Sequence, residues 1–291
     1  MKNTVKQLWI IAVAAVIGFS ACDNGGGGGN GGGGGGGGGG GPPVEITSAT
    51  GIVMRLIPAG TFTMGSPETE PNRIEAREGQ HSVKLTKSFY MGKYPVTQEQ
   101  YQAVMGSNPS NFTAAVDGES GTPGKLPVET VSWYDAVEFC NKLSVKEGLQ
   151  TVYTISDRTP ATGYPITSAT VTVDWNKNGY RLPTEAQWEY ACRAGTATAW
   201  YTGDTEDGTP HLNTAAWYSN NAVTNTHKVG LKTPNAWGLY DMHGNVWEWC
   251  WDWYKEDITE DNTDPAGAVT GANRVRRGGS WGDVGRYLRS A

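Results

Sequence analysis

The stretch NAWGLYDMHGNVWEWCWDWY, residues 235–254, decides how this chain is read. It is dense in Trp and Tyr, carries no helical period, and reads as turns followed by strand. The blocks before it are different. YRLPTEAQWEYACRAG, residues 180–195, opens with Thr184 and Gln187 at capping-box spacing. Trp188, Ala191 and Cys192 then face one way, and Gly195 predicts the helix end. LPVETVSWYDAVEFCNKLSVKEG begins at Leu126, with Ser132 as a cap and Trp133, Ala136, Val137, Cys140 and Leu143 on one stripe. FYMGKYPVTQEQYQAVMG begins at Phe89 and predicts a helix capped by Thr97 and Gln100 and closed by Gly106.

Between these helices the pattern is that of strands. IVMRLIPAGTFTMGS, residues 52–66, predicts strand, turn, strand. Residues 151–173, rich in Thr, Val and Tyr, predict short strands or a surface hairpin, and DWNKNG contains an Asn178-Gly179 turn. No helix is expected after residue 195. A few helices among many short strands with long irregular loops make an α+β fold.

The chain has 291 residues and a net charge of −6. Its isoelectric point of about 5.3 and its lack of a Lys/Arg cluster exclude a nucleic-acid partner. Twelve Trp and thirteen Tyr stand against five Phe. Rings with polar tips suit loop-rich cores and recognition surfaces, although core filling accounts for most of them. Apart from Cys22, the cysteines are Cys140, Cys192 and Cys250, without CxxC spacing. They predict no disulfide framework and no zinc site.

Residues 1–22 read as a lipoprotein signal peptide. Lys2 and Lys6 precede an apolar core, residues 8–18, that is too short to span a bilayer with margin. Phe19-Ser20-Ala21-Cys22 resembles a lipobox, with Phe19 where Leu is usual. That resemblance implies cleavage before Cys22 and acylation of it, hence a membrane anchor in a bacterial envelope. Ordinary signal cleavage nearby is the alternative. Residues 23–44 form a Gly-rich tether, whose nineteen-residue glycine stretch would span roughly 25 Å on average. Residues 45–291 form the folded domain.

The blocks above, followed by RRGGSW and LRSA, resemble in this order the formylglycine-generating enzyme family, also called the sulfatase-modifying-factor domain. The resemblance covers residues 52–291 and implies a modified C-type-lectin-like fold. It does not carry the family's chemistry across unaltered. Formylglycine formation uses a copper-binding Cys pair just after the Gly-Gly-Ser-aromatic motif. Here Gly282, Asp283, Val284, Gly285, Arg286 and Tyr287 follow Trp281, and no Cys occurs after Cys250. The family's iron-dependent branch uses a His-rich set, whereas His81, His211, His227 and His243 are scattered and His243 reads as a turn residue. No copper or iron is expected. Family members often bind calcium near GNVWEW, which implies Asn245, the Val246 carbonyl and Glu248 as ligands of a structural calcium. The equal alternative is a Glu248 that accepts hydrogen bonds without metal.

The last sixteen residues, RRGGSWGDVGRYLRSA, set variable-looking fillers into a fixed-looking frame. They resemble the variable region of proteins diversified by retroelements, in which Asn codons are randomised at their adenines. The fillers Arg276, Gly282, Asp283, Val284, Gly285, Arg286 and Tyr287 are all reachable from such codons. Tyr and Arg give contact area and directed hydrogen bonds at low ordering cost. These residues are therefore expected to face a protein or glycan ligand on a surface-exposed lipoprotein. The alternative is an oxidoreductase of the same family with an unrecognised or truncated active site. Relatives continue past Arg-Ser-Ala to a closing strand, so the resemblance implies that this strand is missing from residues 45–291.

Overall fold

A computed structural model describes residues 11–12, 16–18, 45–74, 77–114, 125–204, 210–255 and 262–291. Cys22, the tether and most of the leader lie outside them. The strands are β1 (Ile11–Ala12), β2 (Val16–Gly18), β3 (Glu45–Thr47), β4 (Val53–Ile57), β5 (Gly60–Met64), β6 (His81–Leu85) and β7 (Phe89–Gly92). They continue with β8 (Tyr153–Thr159), β9 (Ser168–Val173), β10 (Tyr180–Arg181), β11 (Ala216–Trp217), β12 (His243–Gly244), β13 (Trp247–Trp253) and β14 (Arg274–Arg277). The helices are α1 (Gln98–Met105), α2 (Trp133–Lys146), α3 (Glu185–Arg193) and the short α4 (Pro210–Ala215). This is the expected α+β organisation.

The first three helices start as the sequence predicts. Thr97, Ser132 and Thr184 each accept from the backbone three residues on, and Gln100, Asp135 and Gln187 return the bond. Each reciprocal pair satisfies two of the amides that a helix start leaves without partners. On α2 the predicted stripe is fully turned inward, from Trp133 through Ala136, Val137 and Cys140 to Leu143. It packs with Tyr101 and Met105 of α1 and with Tyr153, Tyr180 and Leu182 into one core. The inner face of α3, carrying Trp188, Ala191 and Cys192, builds a second core with Phe89, Met91, Leu239, Met242 and Cys250. The three cysteines of the folded domain are separate, buried thiols.

Two sheets organise the cores. One runs β10-β2-β7-β4-β3, and the other β1-β13-β14. In the uncleaved chain the leader pairs with both, Val16–Gly18 between β7 and β10 and Ile11–Ala12 beside β13; a chain cleaved before Cys22 keeps the sheets without these two strands. The hairpins β5-β6 and β8-β9 and the parallel pair β11-β12 complete the strands.

Three local expectations change. Helical structure does not stop at residue 195, because α4 and a 3-10 turn, Gly285–Leu288, follow. Both are short, and a single turn leaves little periodicity to detect. Helix α3 ends on Ala194, with φ 45°, one residue before the expected Gly195. Asn178-Gly179 does not form the turn. The chain reverses through Asp174–Lys177, while Asn178 accepts from the Gln150 amide. Gly179 is needed for another reason, since a Cβ there would lie 1.9 Å from the Gln150 carbonyl oxygen.

Candidate functional site

The site is built on the hairpin of β13 and β14 and on the segment that follows it. Glu248 pairs with Arg277 and Trp249 with Arg276 across the hairpin. Side chains alternate along β13, so Glu248, Cys250 and Asp252 turn inward while the intervening Trp residues are half-buried. The chain then bends at Gly278 and Gly279, at φ 95° and 73°.

Beyond the bend, the frame is fixed at each point. Trp281 donates its backbone N–H to the Asn245 carbonyl and meets Phe112 edge-on, with ring centroids 5.5 Å apart. Leu288 is fully buried. The Ser290 amide donates to the Ala199 carbonyl at 2.7 Å. Arg289, whose side chain is only 4% exposed, lies against two acids. Its Nη1 reaches Glu70 Oε1 at 2.6 Å, and its Nη1 and Nη2 clasp both oxygens of Glu78 at 2.6 and 2.7 Å. Its Nε donates to the Arg286 carbonyl at 3.0 Å, closing the turn that displays Arg286 and Tyr287.

His243 is part of this frame and not a turn residue, which corrects the sequence expectation. It is fully buried in β12. Its Nδ1–H donates to the Leu288 carbonyl at 2.6 Å, and its Nε2 accepts from the Tyr201 N–H at 3.2 Å. Burial lowers its pKa to about 3. Cys192 Sγ lies 3.8 Å from Nε2 and equally far from Ser290 Oγ. Both ring nitrogens are engaged and burial raises the thiol to about 12, so near neutrality the thiol is protonated and the neutral imidazole is a weak proton acceptor, which does not suit a nucleophile–base pair.

The seven predicted ligand-facing residues separate into two kinds. Gly282, Val284, Arg286 and Tyr287 are exposed, Val284 by 42% and Tyr287 by 48%. The Arg286 guanidinium lies 4.8 Å from the Tyr287 ring centroid and donates to its hydroxyl at 3.1 Å. Half-buried Arg276 lies over the Trp247 ring at 4.7 Å. Gly285 is buried at the start of the 3-10 turn. The Asp283 carboxylate turns inward and accepts the Ser280 N–H at 3.0 Å and the Ser280 hydroxyl. Asp283 therefore braces the frame. Asp283→Ala should lower stability by about 0.5–2 kcal/mol, as loss of a cap does, which a denaturant titration would read. An unchanged midpoint would return Asp283 to the ligand face.

Gly278, Arg276, Asp283, Arg286 and Tyr287 line one cleft with Trp247, Tyr254 and Arg274, of about 590 Å³. The sequence reading missed Arg274, Trp247 and Tyr254 as members. Alternation along β13 was the available signal for Trp247, but nothing local brings Tyr254 and Arg274 to residue 287. Arg274 lies 3.7 and 3.5 Å from the ring centroids of Trp133 and Trp253, and burial lowers its pKa to about 10. Below the cleft, the carboxylate of Glu189 accepts from Arg193, Arg277 and the Gly65 amide.

The residues named for calcium serve the protein as they stand. Asn245 Oδ1 accepts from the His227 N–H and Nδ2 donates to the His227 carbonyl, both at 3.0 Å. Glu248 Oε2 accepts from the Trp188 indole at 2.6 Å.

The buried carboxyls give the domain a pH signature. Burial raises Asp241 to about 6 and Glu248 and Asp252 to about 7. Between the ordinary carboxylate range and pH 7 the folded chain therefore binds more protons than the unfolded chain. Their stabilising contribution is complete in acid and is lost as pH rises through 6 to 7. His243, held neutral with its pKa lowered to about 3, opposes them, because its contribution is lost as pH falls from about 6.5 toward 3. Glu78 also runs the other way. Burial acts upward on it, but Arg289 outweighs burial and holds the carboxyl low, so its contribution is lost on strong acidification. The melting temperature should peak near pH 5 and fall toward both pH 8 and pH 3. A peak at or above pH 8 in a scan of melting against pH would contradict this.

A model of the sulfatase-modifying factor enzyme 1-like domain matches residues 44–291. The chain is 33% identical over 297 residues to chaperone protein LppX of Paenibacillus barcinonensis, covering 95% of this chain and 88% of that one. It is 32% identical over 265 residues to the formylglycine-generating enzyme of Thermomonospora curvata, covering 82% and 84%. Among solved structures, Treponema denticola variable protein 1 superposes with a TM-score of 0.75 at 39% identity, covering 85% of this chain and 91% of that one. Order of motifs, fold and these matches agree, and the chain belongs to the formylglycine-generating enzyme (sulfatase-modifying factor) family.

Proposed function

We propose that this protein is a non-catalytic, ligand-binding member of its family, held on the bacterial envelope by a lipid at Cys22 and displayed on its Gly-rich tether. One observation carries the reading. Leu288, Arg289 and Ser290 are buried and bonded to distant parts of the domain, while Gly282, Val284, Arg286 and Tyr287, set among them, are exposed. Substitution at the exposed positions costs the fold little, and substitution of the frame costs it much. That division suits a surface whose contacts change while its support does not. Likeness to a variable protein and to a chaperone protein supports binding of other molecules. The leader pattern, and a relative with a lipoprotein-like name, support the anchor. The disposition of Cys192 and His243 weighs against the oxidoreductase alternative.

The test is binding of the full-length protein, in detergent, to arrays of surface proteins and glycans. Arg286→Ala with Tyr287→Ala should weaken the principal interaction at least about thirtyfold, the scale of loss expected for hot-spot side chains. Melting should be unchanged, because both side chains are exposed. Full retention of every interaction by the double variant would sink the proposal.

A further inference from the structure

Arg181, on β10, differs from the other enclosed arginines. Arg193 and Arg289 are 3% and 5% exposed, and each holds carboxylates, Glu189 at 2.9 Å in the first case and Glu70 and Glu78 at 2.6 Å in the second. Arg181 is 7% exposed and meets no carboxylate at ion-pair distance among the described residues. Its Nη1 donates to the Leu182 carbonyl at 3.0 Å and to Gln187 Oε1 at 2.8 Å. Its Nε and Nη2 donate to nothing, and unlike Nε of Arg274 and Arg277 they are not sealed in. Asp252 acts on Arg181 through space, but that carboxyl accepts from the Glu185 N–H at 2.7 Å and is itself raised to about 7 by burial. A buried cation without a counter-charge is costly, and an anion brought from outside would offset that cost.

Arg181 lines a cavity of about 270 Å³. A second donor stands beside it. Gln187 Oε1 accepts from the Thr184 N–H and from Arg181, while Nε2 donates to nothing. Thr184 and Gln187 are the capping pair of α3 and both line the cavity, so the positive end of that helix dipole lies at its wall. Leu85 and Phe89 make the wall apolar, and Trp175, 40% exposed, holds its ring centroid 5.1 Å from the Arg181 guanidinium. Asp264 lines the cavity too, but its carboxylate is taken by the amide and hydroxyl of Thr86. One guanidinium edge, one amide and apolar walls suit a single carboxylate on a small apolar body, and a space this size takes nothing larger. A sulfate or phosphate would press most of its oxygens against the apolar wall. The described lining residues all lie between 85 and 266, in the part of the chain that signal cleavage would retain.

We propose that this cavity is a second binding site, for a small organic carboxylate with an apolar body. The Nε and Nη2 edge of Arg181 takes the carboxylate in two parallel hydrogen bonds, Gln187 Nε2 adds a third, and the body of the ligand packs on Trp175, Leu85 and Phe89. The cavity shares no lining residue with the cleft beside residues 276–287, so the site stands apart from the reading given for that face.

The experiment titrates the full-length protein in detergent, by calorimetry, with phenylacetate, 3-phenylpropionate and hexanoate. Phenylethanol and inorganic phosphate serve as comparison probes, the first with the same body and no charge, the second with charge and no body. At least one of the carboxylates should bind, and both comparison probes should bind it at least about tenfold more weakly, the scale of losing a charge-assisted contact. Arg181→Met should weaken the carboxylate by a similar factor. Trp175→Ala, at an exposed position that the fold tolerates, should weaken it as well and serves as the deciding variant if Arg181→Met fails to fold. Arg286→Ala with Tyr287→Ala should leave carboxylate binding as it was. Failure of all three carboxylates, equal binding of phenylethanol, tighter binding of phosphate, or indifference to Trp175→Ala would each overturn the assignment. Loss of binding in the Arg286/Tyr287 variant would move the site to the variable-looking face and overturn it too.

Discussion

Arg289→Met is expected to destabilise the domain by about 3–5 kcal/mol, the loss typical of removing one partner from a buried ion pair. The arginine bridges Glu70 and Glu78, and the Glu70 side chain is only 1% exposed. Without it the enclosed Glu70 carboxylate and the partly exposed Glu78 carboxylate face each other with no cation between them. At roughly 2–4 °C per kcal/mol for a domain of this size, the melting temperature should fall by about 6–20 °C. Adding Glu70→Gln and Glu78→Gln to Arg289→Met should recover part of the loss, because the buried like charges then disappear. Lys125→Met, which breaks an exposed ion pair with Glu99, should change melting little. A small shift in Arg289→Met would mean that the C-terminal frame is not anchored through this arginine. The support assigned to the binding face would then fail with it.

Gly244→Ala should cost about 2–6 kcal/mol, combining backbone strain with overpacking. Gly244 lies in β12 at φ 76°, and a Cβ there would fall 2.1 Å from the Trp217 carbonyl oxygen and 3.1 Å from Leu288 Cδ2. The parallel pair β11-β12 could not keep its register, and the Leu288 end of the frame would shift with it. Gly106→Ala separates the two contributions. It shares a left-handed backbone, φ 83°, but meets nothing within 4 Å, so only strain remains. Equal denaturation midpoints for the two variants would show that the close approach at Gly244 is relieved by movement.

The chain's local elements were legible because their causes are local. Thr97–Gln100, Ser132–Asp135 and Thr184–Gln187 each join residues three apart, so spacing alone states the bond. The α2 stripe follows from 3.6 residues per turn, and the order of motifs identified the family. The 3-10 turn escaped because four residues show no period. The inward turn of Asp283 was marked by its spacing from Ser280, but alternating frame and filler suggested an outward role instead.

The arrangement of the site was not legible in this way. Arg289 meets Glu78 across 211 residues and Glu70 across 219. His243 reaches the Leu288 carbonyl across 45. Which charge is buried, and beside which partner, depends on how two cores and two sheets close around it, and no short-range pattern carries that information. The sequence by itself determined the family, the capped helices, the strand-rich remainder and the composition of the last sixteen residues. Tertiary structure alone decided which of those residues support and which display, because packing turned Asp283, Gly285, Leu288 and Arg289 inward and left Arg286 and Tyr287 exposed beside the cleft.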